Sequence, residues 1–268
     1  MSFSGLQIAS LGSGSGGNST LISSATTTLL LDCGFTLKET VARCEKLGVS
    51  ASRIDGILIT HEHGDHVRGL GPLVRKFGQP VWATYGTYNA LRDRKLDQVT
   101  LINAHESFEI GDISIEPFPT PHDAAESCQF LFQCDGARFA CVTDLGISTP
   151  HILEKISSCE ALLVESNYDE VMLREGPYPP SLQSRIRSNF GHLGNVQAGQ
   201  LLQAVDHDQL DTILLGHLSE KNNAPKQALD TVAGFVSRPE RITVLEQHSA
   251  SRWYAIKNDQ YSSLTTIA

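Results

Sequence analysis

The sequence predicts an α/β protein, a four-layer α/β/β/α sandwich formed as one domain by residues 1–268. Apolar segments at the start of the chain follow one another with short connections, as strands in hairpins do. Further along, similar segments alternate with amphipathic stretches of helical period, and the chain returns to strands at its end. No low-complexity linker or internal repeat divides it. Two strand-rich halves with helices outside would bury the apolar faces of both sheets.

Three strands are predicted at the start of the chain, Leu6 to Leu11, Thr20 to Ile22 and Thr27 to Leu31, from their apolar runs. A glycine-serine loop, Gly12 to Ser19, joins the first two. The G-K-[ST] string of a phosphate-binding P-loop does not follow it, and a strand rather than a helix comes next. The loop is therefore either a turn that brings backbone amides near a site or a plain hairpin turn.

The first predicted helix begins at Thr36, a residue that can cap it, and extends to about Leu47, because Leu37, Val41 and Cys44 share one face. The remaining predicted strands are Ile54–Ile59, Pro80–Tyr85, Val99–Ile102, Phe108–Phe118 with a turn at Gly111-Asp112, Phe130–Gln133, Phe139–Val142, Ala161–Glu165, Thr212–Leu215, Ile242–Glu246 and Trp253–Ile256. The remaining predicted helices are Val67–Phe77, a polar helix containing Arg92, Arg94 and Lys95, Pro150–Ser157, a short basic helix containing Arg185 and Arg187, a helix with Val196 and Val205, and one from about Pro225.

The composition bounds the cellular setting. No apolar run approaches the roughly 18 residues that a membrane span requires. The first residues, Met1 to Leu6, lack the basic start and apolar core of a secretory signal. The 6 cysteines form no C-x-x-C pair and lie mostly in apolar surroundings, as reduced core thiols do. We therefore expect a cytoplasmic protein without membrane contact, whose oligomeric state the sequence leaves open.

Charge limits the class of partner. The net charge of −9 is not that of a general nucleic-acid binder. A nucleic-acid substrate would have to be held by a local basic patch and by metal ions. The basic residues near the candidate loops fit a backbone track or, equally, solvated helix faces; they are Arg68, Arg75, Lys76, Arg92, Arg94, Lys95, Arg185, Arg187 and Lys221.

The most informative stretch is Thr60-His61-Glu62-His63-Gly64-Asp65-His66, directly after the apolar run Ile54 to Ile59. Three imidazoles and a carboxylate within one irregular turn can converge on a common point, and Gly64 eases the backbone there. Imidazole suits zinc, iron or manganese, and a carboxylate adds charge. The plain alternative is a polar loop that is rich in histidine by chance.

Three further polar residues stand where predicted strands end: His122, Asp144 and His217. Residues at strand ends along one edge of a sheet can reach a common site. Taken alone, His122 could be a loop histidine and Asp144 a turn-capping aspartate. Together with the first cluster, they offer seven potential ligands, which is too many for one tetrahedral ion and enough for two ions that share a carboxylate.

With these motifs the sequence resembles the metallo-β-lactamase fold superfamily and, within it, the YycJ/WalJ-type subfamily, which is associated with DNA exonuclease activity. The motifs that carry the resemblance are Leu11–Thr20, Thr60–His66, Pro121–Ala124, Glu165–Asp169, Gly191–Asn195 and Gly216–Asn223. The sequence departs from the subfamily at Gly194, where a serine is usual, so a hydroxyl contact to the next helix or to phosphate is missing.

The resemblance implies a ligand set for two divalent ions, which could be zinc, manganese or iron. It assigns His61, His63 and His122 to one ion, Asp65, His66 and His217 to the other, and Asp144 to both. It also implies that Asp32, otherwise a strand-end turn residue, braces the metal loop from behind.

The resemblance further implies residues that act on a substrate. Asp65 and His192 are the predicted catalytic residues. A histidine with a pKa near neutrality suits proton donation to a leaving oxygen, although His192 could also be a structural residue at a helix start. The predicted substrate contacts are Asn195, Ser219, Asn222 and Asn223.

The function expected from this sequence is that of a dinuclear metal-dependent hydrolase. Two cations about 3.5–4 Å apart can generate hydroxide from water at neutral pH. The subfamily motifs indicate a phosphodiesterase that acts on nucleic acid, similar to a 5′-end DNA exonuclease. The alternatives are a small-molecule hydrolase (a cyclic or nucleotide phosphodiesterase, or a glyoxalase-II-like thioesterase), a di-iron redox protein and a non-catalytic binding module. A di-iron site would usually replace His63 with a carboxylate, and the full ligand set disfavours a binding module.

Overall fold

Two seven-stranded mixed sheets form the centre of the protein in a computed structural model that describes residues 4–256. The first sheet has the spatial order β14-β1-β2-β3-β4-β5-β6, and the second has the order β13-β12-β11-β10-β9-β8-β7. The strands of the first sheet are β1 (Leu6–Gly12), β2 (Ser19–Ser23), β3 (Thr28–Leu31), β4 (Gly56–Leu58), β5 (Val81–Thr84), β6 (Val99–Ile102) and β14 (Tyr254–Ile256). Those of the second are β7 (Phe108–Ile110), β8 (Ile113–Pro119), β9 (Cys128–Cys134), β10 (Ala137–Val142), β11 (Ala161–Glu165), β12 (Thr212–Gly216) and β13 (Ile242–Val244).

The helices of the described residues are α1 (Leu37–Lys46), α2 (Gly64–Val67), α3 (Leu70–Phe77), α4 (Tyr85–Ala90), α5 (Pro150–Ile156), α6 (Glu170–Glu175), α7 (Pro180–Ile186), α8 (Asn195–Val205) and α9 (Pro225–Ala233), with short 3-10 turns at Ala51–Arg53 and Pro239–Arg241. Helices α1 and α3 pack on the outer face of the first sheet and α5, α8 and α9 on that of the second, whereas α6 and α7 pack against each other in a smaller cluster. The sequence prediction of a four-layer α/β/β/α arrangement is confirmed.

Strand alternation divides the buried residues among three apolar layers. In β11, Ala161 and Leu163 face the core between the two sheets, while Leu162 and Val164 face the core under α5, α8 and α9. A third core lies between the first sheet and helices α1 and α3. Because successive side chains of a strand point to opposite faces, a continuous apolar run serves two cores at once.

The site lies where strands of both sheets end. Strands β3 to β6 are parallel in the first sheet, as are β10 to β13 in the second. The segments that follow β3 and β4 therefore lie on one side of this edge, and those that follow β10, β11 and β12 lie on the other. This shared edge is the arrangement in which dispersed residues meet.

The single helix predicted for Val67–Phe77 is instead two helices, α2 and α3, separated by Gly69. The Gly69 N–H donates to the Cys33 carbonyl over 2.8 Å. A Cβ atom on Gly69 would lie 1.9 Å from the Phe35 carbonyl oxygen, so only glycine fits this close approach. The close approach at Gly69 thereby packs the loop of residues 60–66, the metal loop, next to the segment that follows β3.

The predicted polar helix around Arg92, Arg94 and Lys95 is wrong. The chain is irregular from residue 92 to residue 98, and α4 ends before it. Residues 92 to 95 carry no apolar side chain to bury against the sheet, so tertiary packing does not stabilise a helix there. Helix α6 was missed by the sequence prediction; its start is marked by Asp169, whose carboxylate accepts hydrogen bonds from the Val171 and Met172 N–H groups.

The described residues also bear on the bulk predictions. All six cysteines are free and buried, as expected for core thiols. In the described range 4–256, every helix is too short or too polar to cross a bilayer. Residues 1–3 and 257–268 lie outside the described part, so the N-terminal prediction and the single domain over residues 1–268 stay predictions.

Candidate metal centre

Asp32 organises the metal loop from behind. Its carboxylate accepts hydrogen bonds from the Thr60 N–H and hydroxyl, each over 2.9 Å, and from His66 Nδ1 over 2.8 Å. Because a carboxylate only accepts, His66 Nδ1 carries the proton of this bond, so Nε2 is the nitrogen that faces the centre and can bind a metal. The structure thus places Asp32 where the bracing role predicted from the sequence requires it.

A similar chain sets the tautomer of His61. The Thr60 hydroxyl donates to Asp32, so its oxygen accepts from His61 Nδ1, 3.0 Å away. His61 Nε2 then carries a lone pair, and it is buried without a hydrogen-bond partner. Burial lowers the pKa of His61 well below its ordinary value, which keeps the ring neutral.

Two histidines contributed by the second sheet are fixed in the same way. His122 Nδ1 donates to the Gly191 carbonyl over 3.2 Å, and His217 Nδ1 donates to the Glu165 carboxylate over 2.9 Å. Each ring therefore directs its Nε2 inward. His122 Nε2 lies only 3.3 Å from Nδ1 of His63. Two nitrogen atoms this close repel each other unless a proton or a metal cation lies between them.

Asp144 lies between the two groups of ligands. Its carboxylate oxygens are 3.1 Å from His66 Nε2, 3.4 Å from His217 Nε2 and 3.7 Å from His122 Nε2. Burial alone would raise its pKa, but the adjacent His217 and His66 hold the pKa of the Asp144 carboxyl well below its usual range. The side chain is 1% exposed and Oδ2 has no hydrogen-bond partner, so its charge needs compensation at this point.

These contacts bring together all seven ligands predicted from the sequence. Among the described residues, four overlapping groups of atoms could hold a metal ion, and two of them, His61 with His63 and His122, and Asp65 with His66 and His217, are the sets predicted from the sequence. In each set the ligand atoms lie within 4.8 Å of one another. Converging imidazole nitrogens, a buried His61 Nε2 and a buried Asp144 Oδ2 without hydrogen-bond partners are what a divalent cation would satisfy, so the residues present fit the predicted metal.

Backbone geometry at the site departs from the regular strands. Non-glycine residues with positive φ in the described range are Asp32 (59°), Asp135 (47°), Asp144 (52°) and His217 (55°). Asp135 occupies a hairpin turn, whereas Asp32 and His217 immediately follow β3 and β12, and Asp144 follows β10 after one intervening residue. A left-handed residue turns the chain sharply at the strand end, which aims the side chain at the centre at a cost of about 1–3 kcal/mol each.

Glu165, to which sequence reasoning gave no role, joins two histidines of the site. It is completely buried at the end of β11, and its Oε1 accepts from His192 Nδ1 over 2.7 Å as well as from His217 Nδ1. Its Oε2 accepts the N–H groups of Leu145 and Leu193, each over 3.1 Å. Burial would raise its pKa, but the two histidines hold it at about 2. Its position at a strand end, like those of Asp32 and Asp144, was the available signal.

His192 stands beside the ligand cluster rather than within it. Its Nδ1 is bound to Glu165, so its Nε2 remains for a substrate, and its side chain is 23% exposed. Burial would lower the pKa of His192, but the Glu165 carboxylate raises it above the ordinary value. His192 and His217 both stand in a Gly-His-Leu string, and the structure distinguishes them: His217 Nε2 lies 3.4 Å from Asp65 and from Asp144, whereas His192 Nδ1 is bound to Glu165.

A cavity of about 220 Å³ opens onto the centre. His63, Asp65, Asp144, His192 and His217 line its floor. Both polar and apolar side chains complete its lining, among them Ser15, Asn167, Ser219, Tyr178, Leu182 and Arg185. A reacting group bound here would contact the predicted ligands and His192 together.

Three of the four predicted substrate contacts need correction. Asn195 and Asn223 are buried and hydrogen-bonded to each other over 2.8 and 3.1 Å. Asn222 is 1% exposed, and its side-chain amide donates to the Ser219 hydroxyl. These asparagines hold the loops after β11 and β12 together, whereas Ser219 lines the cavity and stays a predicted contact. At Gly194, where the hydroxyl is missing, Gln197 accepts the backbone N–H that begins α8.

Comparison with known proteins agrees with this geometry. Residues 27–218 match the family model described as the beta-lactamase superfamily domain. The chain is 36% identical to exodeoxyribonuclease YycJ of Bacillus anthracis over 233 residues, which cover 85% of this chain and 88% of that protein. It is 32% identical to exodeoxyribonuclease WalJ of Streptococcus pneumoniae over 246 residues, 90% of this chain and 91% of that one.

Solved structures share the fold at low sequence identity. The metallo-beta-lactamase fold protein YhfI from Bacillus subtilis superposes with a TM-score of 0.70 at 16% identity, covering 92% of this chain and 99% of its own. A diphosphatase of the PhnP family gives 0.67 at 17% identity, with coverages of 95% and 99%. The short form of human tRNase Z gives 0.63 at 16% identity, with coverages of 91% and 98%.

Proposed function

The chain belongs to the beta-lactamase superfamily and is a metal-dependent hydrolase of that fold, and from this premise we propose that it is a dinuclear phosphodiesterase that degrades DNA from a strand end. The observation that carries the proposal is the convergence of imidazole nitrogens and carboxylates, with Asp144 close to histidines of both predicted sets. The names of two relatives that match most of the chain support DNA as the substrate.

The proposed ligands follow the two sets of atoms. His61, His63 and His122 would hold one ion, Asp65, His66 and His217 the other, and Asp144 would contact both. Zinc, manganese and iron all accept this mixture of donors. When bound, two such ions lower the pKa of a water molecule and offset negative charge on phosphate oxygens.

His192 would supply the proton that the departing sugar oxygen needs. Its Nδ1 is held by the Glu165 carboxylate, which raises the pKa of His192 above its ordinary value, and its Nε2 is directed to the cavity for donation. Asp65 is the most exposed of the predicted carboxylate ligands, at 23%, and borders the same cavity, so it would orient the attacking water by accepting a hydrogen bond.

A small-molecule phosphodiester is the second candidate. Several basic side chains that could follow a nucleic-acid backbone are already paired with acids: Arg75 with Asp93, Arg185 with Asp123 and Arg187 with Glu170. The net charge is −9, and the cavity is small. The same centre would hydrolyse a cyclic or nucleotide diester or, like the glyoxalase-II type, a thioester.

The test compares three substrates with one protein. Protein purified without chelator and supplied with manganese or zinc should shorten end-labelled single- or double-stranded DNA, and the position of the label gives the polarity. A His63→Ala variant should lose this activity. Turnover of bis-p-nitrophenyl phosphate and of an acyl-glutathione thioester provides the comparison. If DNA stays uncut while a small substrate is turned over rapidly, the small-molecule function replaces the DNA proposal. If DNA is degraded equally by the His63→Ala protein, the activity belongs to a contaminant.

A further inference from the structure

The glycine-serine loop between β1 and β2 reaches the candidate metal centre through one side chain, that of Asn18. Asn18 is 7% exposed. Its backbone N–H donates to the Asp65 carbonyl over 2.8 Å, and its carbonyl accepts from the Gly34 N–H over 3.0 Å. The loop is therefore joined at Asn18 both to the metal loop and to the segment after β3.

The orientation of the Asn18 amide is fixed by one residue, Gly14. The Gly14 N–H donates to Asn18 Oδ1 over 2.9 Å, and Asn18 Nδ2 donates to the Gly14 carbonyl over 3.0 Å. The Ser13 hydroxyl adds a second donor to Oδ1 at 3.1 Å. If the amide were flipped, its NH2 group would face the Gly14 N–H and its oxygen would face the Gly14 carbonyl, and both hydrogen bonds would be lost. The loop therefore determines which atom of the amide is nitrogen and which is oxygen.

Gly14 must be glycine for this arrangement. Its φ is +153°, a backbone conformation that residues with a side chain rarely adopt, and a Cβ atom there would lie 3.1 Å from the Leu218 carbonyl oxygen. The glycines of the loop thus allow a backbone that grips a single amide from both sides. The sequence suggested a turn that brings backbone amides near a site. In the structure the Gly14 backbone amide contacts the Asn18 side chain, and that side chain in turn reaches the site.

The second hydrogen of the Asn18 amide points at the centre. Nδ2 lies 3.3 Å from Asp65 Oδ2 and 3.3 Å from His66 Nε2. Asp65 Oδ2 is also 3.4 Å from the Nε2 atoms of both His66 and His217. This oxygen is therefore the point where one set of proposed ligands converges, and Asn18 is the hydrogen-bond donor closest to it.

We propose that Asn18 is a positioning residue that holds the Asp65 carboxylate in place for the ion bound by Asp65, His66 and His217, and this rests on the proposed two-ion function. A carboxylate oxygen has two lone-pair directions. The Asn18 amide occupies one and leaves the other for the cation, without adding a charge that would compete with it. Among the hydrogen bonds of the described residues, Asn18 makes none to His61, His63 or His122, so its effect should fall on one of the two ions.

The experiment measures the two binding steps separately. Chelator-stripped wild-type protein, Asn18→Ala and Asn18→Ser are titrated with zinc by calorimetry, and circular dichroism of the metal-free proteins checks that each is folded. Asn18→Ser keeps a polar group beside Gly14 but is too short to reach Asp65. The matched control is Gln247→Ala, which removes two hydrogen bonds to the same loop, at Gly16 and Gly17, and leaves Asn18 intact.

Both Asn18 variants should lose about 10- to 100-fold in affinity at one binding step, the typical effect of removing a residue that orients a metal ligand. The other step and the Gln247→Ala protein should bind as wild type does. Equal losses at both steps, losses in Gln247→Ala of the same size, or unchanged binding in the Asn18 variants would overturn the assignment. A wild-type protein that binds fewer than two ions would instead overturn the two-ion proposal on which it rests.

Discussion

Histidine tautomers are the feature through which single residues define this site. Asp32 fixes the proton of His66, and Glu165 fixes those of His217 and His192. Each of these acids is buried at or just after a strand end and accepts several hydrogen bonds, so its charge is satisfied without a free cationic side chain. The same carboxylate, Glu165, thus orients both a proposed ligand and the proposed proton donor.

Replacing His192 tests proton donation directly. His192→Gln should lower the turnover of DNA by about 10²- to 10⁴-fold, the usual contribution of a general acid, because the sugar oxygen leaves poorly without a proton. Turnover of bis-p-nitrophenyl phosphate should fall much less, since its phenolate leaves unaided. Metal content should not change. The control is His151→Gln, on an exposed position of α5. Equal losses on both substrates would assign His192 a structural or binding role instead.

The residue types of the site were predictable, but the contacts between them were only partly so. His61, His122, Asp144 and His217 follow apolar strands, and the chemistry of their side chains indicates a metal. The left-handed backbone at Asp144 and His217 leaves no clear mark in the sequence, because aspartate and histidine are common in ordinary turns.

Burial was harder to foresee than chemistry. Asn195 and Asn223 are polar residues in a motif near the site, so a substrate contact was a reasonable expectation. They are instead paired with each other in the interior. A polar side chain that finds all its partners within the protein cannot be told from an exposed one by its type alone.

Secondary-structure elements were predicted well where an apolar pattern specified them. Strand β11 is an apolar run that is buried along its whole length, and helix α1 begins after the predicted cap Thr36. The prediction failed at Gly69, where close packing on the Phe35 backbone breaks a helix, and at residues 92–95, where composition suggested a helix without a face to bury. In both cases tertiary contacts, rather than local preference, decided the outcome.

The junction between α8 and β13 offers a test of stability at the scale of elements. Asp206, directly after α8, accepts from Arg241 over 2.6 Å and from the Ser237 N–H over 2.7 Å. The two side chains are only 11% and 5% exposed. Burial would raise the pKa of Asp206, but these hydrogen bonds hold it below its ordinary value of 3.8. The ionised carboxylate therefore stabilises the folded state.

Asp206→Asn should reduce the free energy of unfolding by about 1.5–3 kcal/mol at pH 7, the contribution of hydrogen bonds to a charged group. Because the folded pKa is depressed, the deficit should stay constant down to about pH 5 and shrink as the pH falls through the unfolded and then the folded pKa of Asp206. Urea unfolding of metal-free protein across this range measures it. Asp208→Asn, at an exposed neighbour, is the control. A deficit that grows on acidification would contradict the assignment.

At the scale of the whole molecule, the site joins the two sheets. Asp32, His61, Asp65 and His66 follow strands of the first sheet, whereas His122, Asp144 and His217 follow strands of the second. Asp32, Asp144 and Glu165 bring three carboxylates into the interior, each at most 4% exposed. Cations at the centre would offset this buried negative charge and bind residues that only the folded chain assembles.

Metal removal should therefore lower the unfolding temperature of the entire protein. Free metal at 100 times the dissociation constant stabilises the native state by about 2.7 kcal/mol for each ion. For a chain of this size, each ion therefore raises the unfolding temperature by roughly 5–10 °C. Calorimetric scans with and without chelator measure the shift. Since Asp144 contacts both sets of ligands, Asp144→Ala should abolish the response to metal, whereas His122→Ala should retain about half of it. If metal binds the wild-type protein but leaves a single unfolding transition at the same temperature, the ions do not hold the two sheets together.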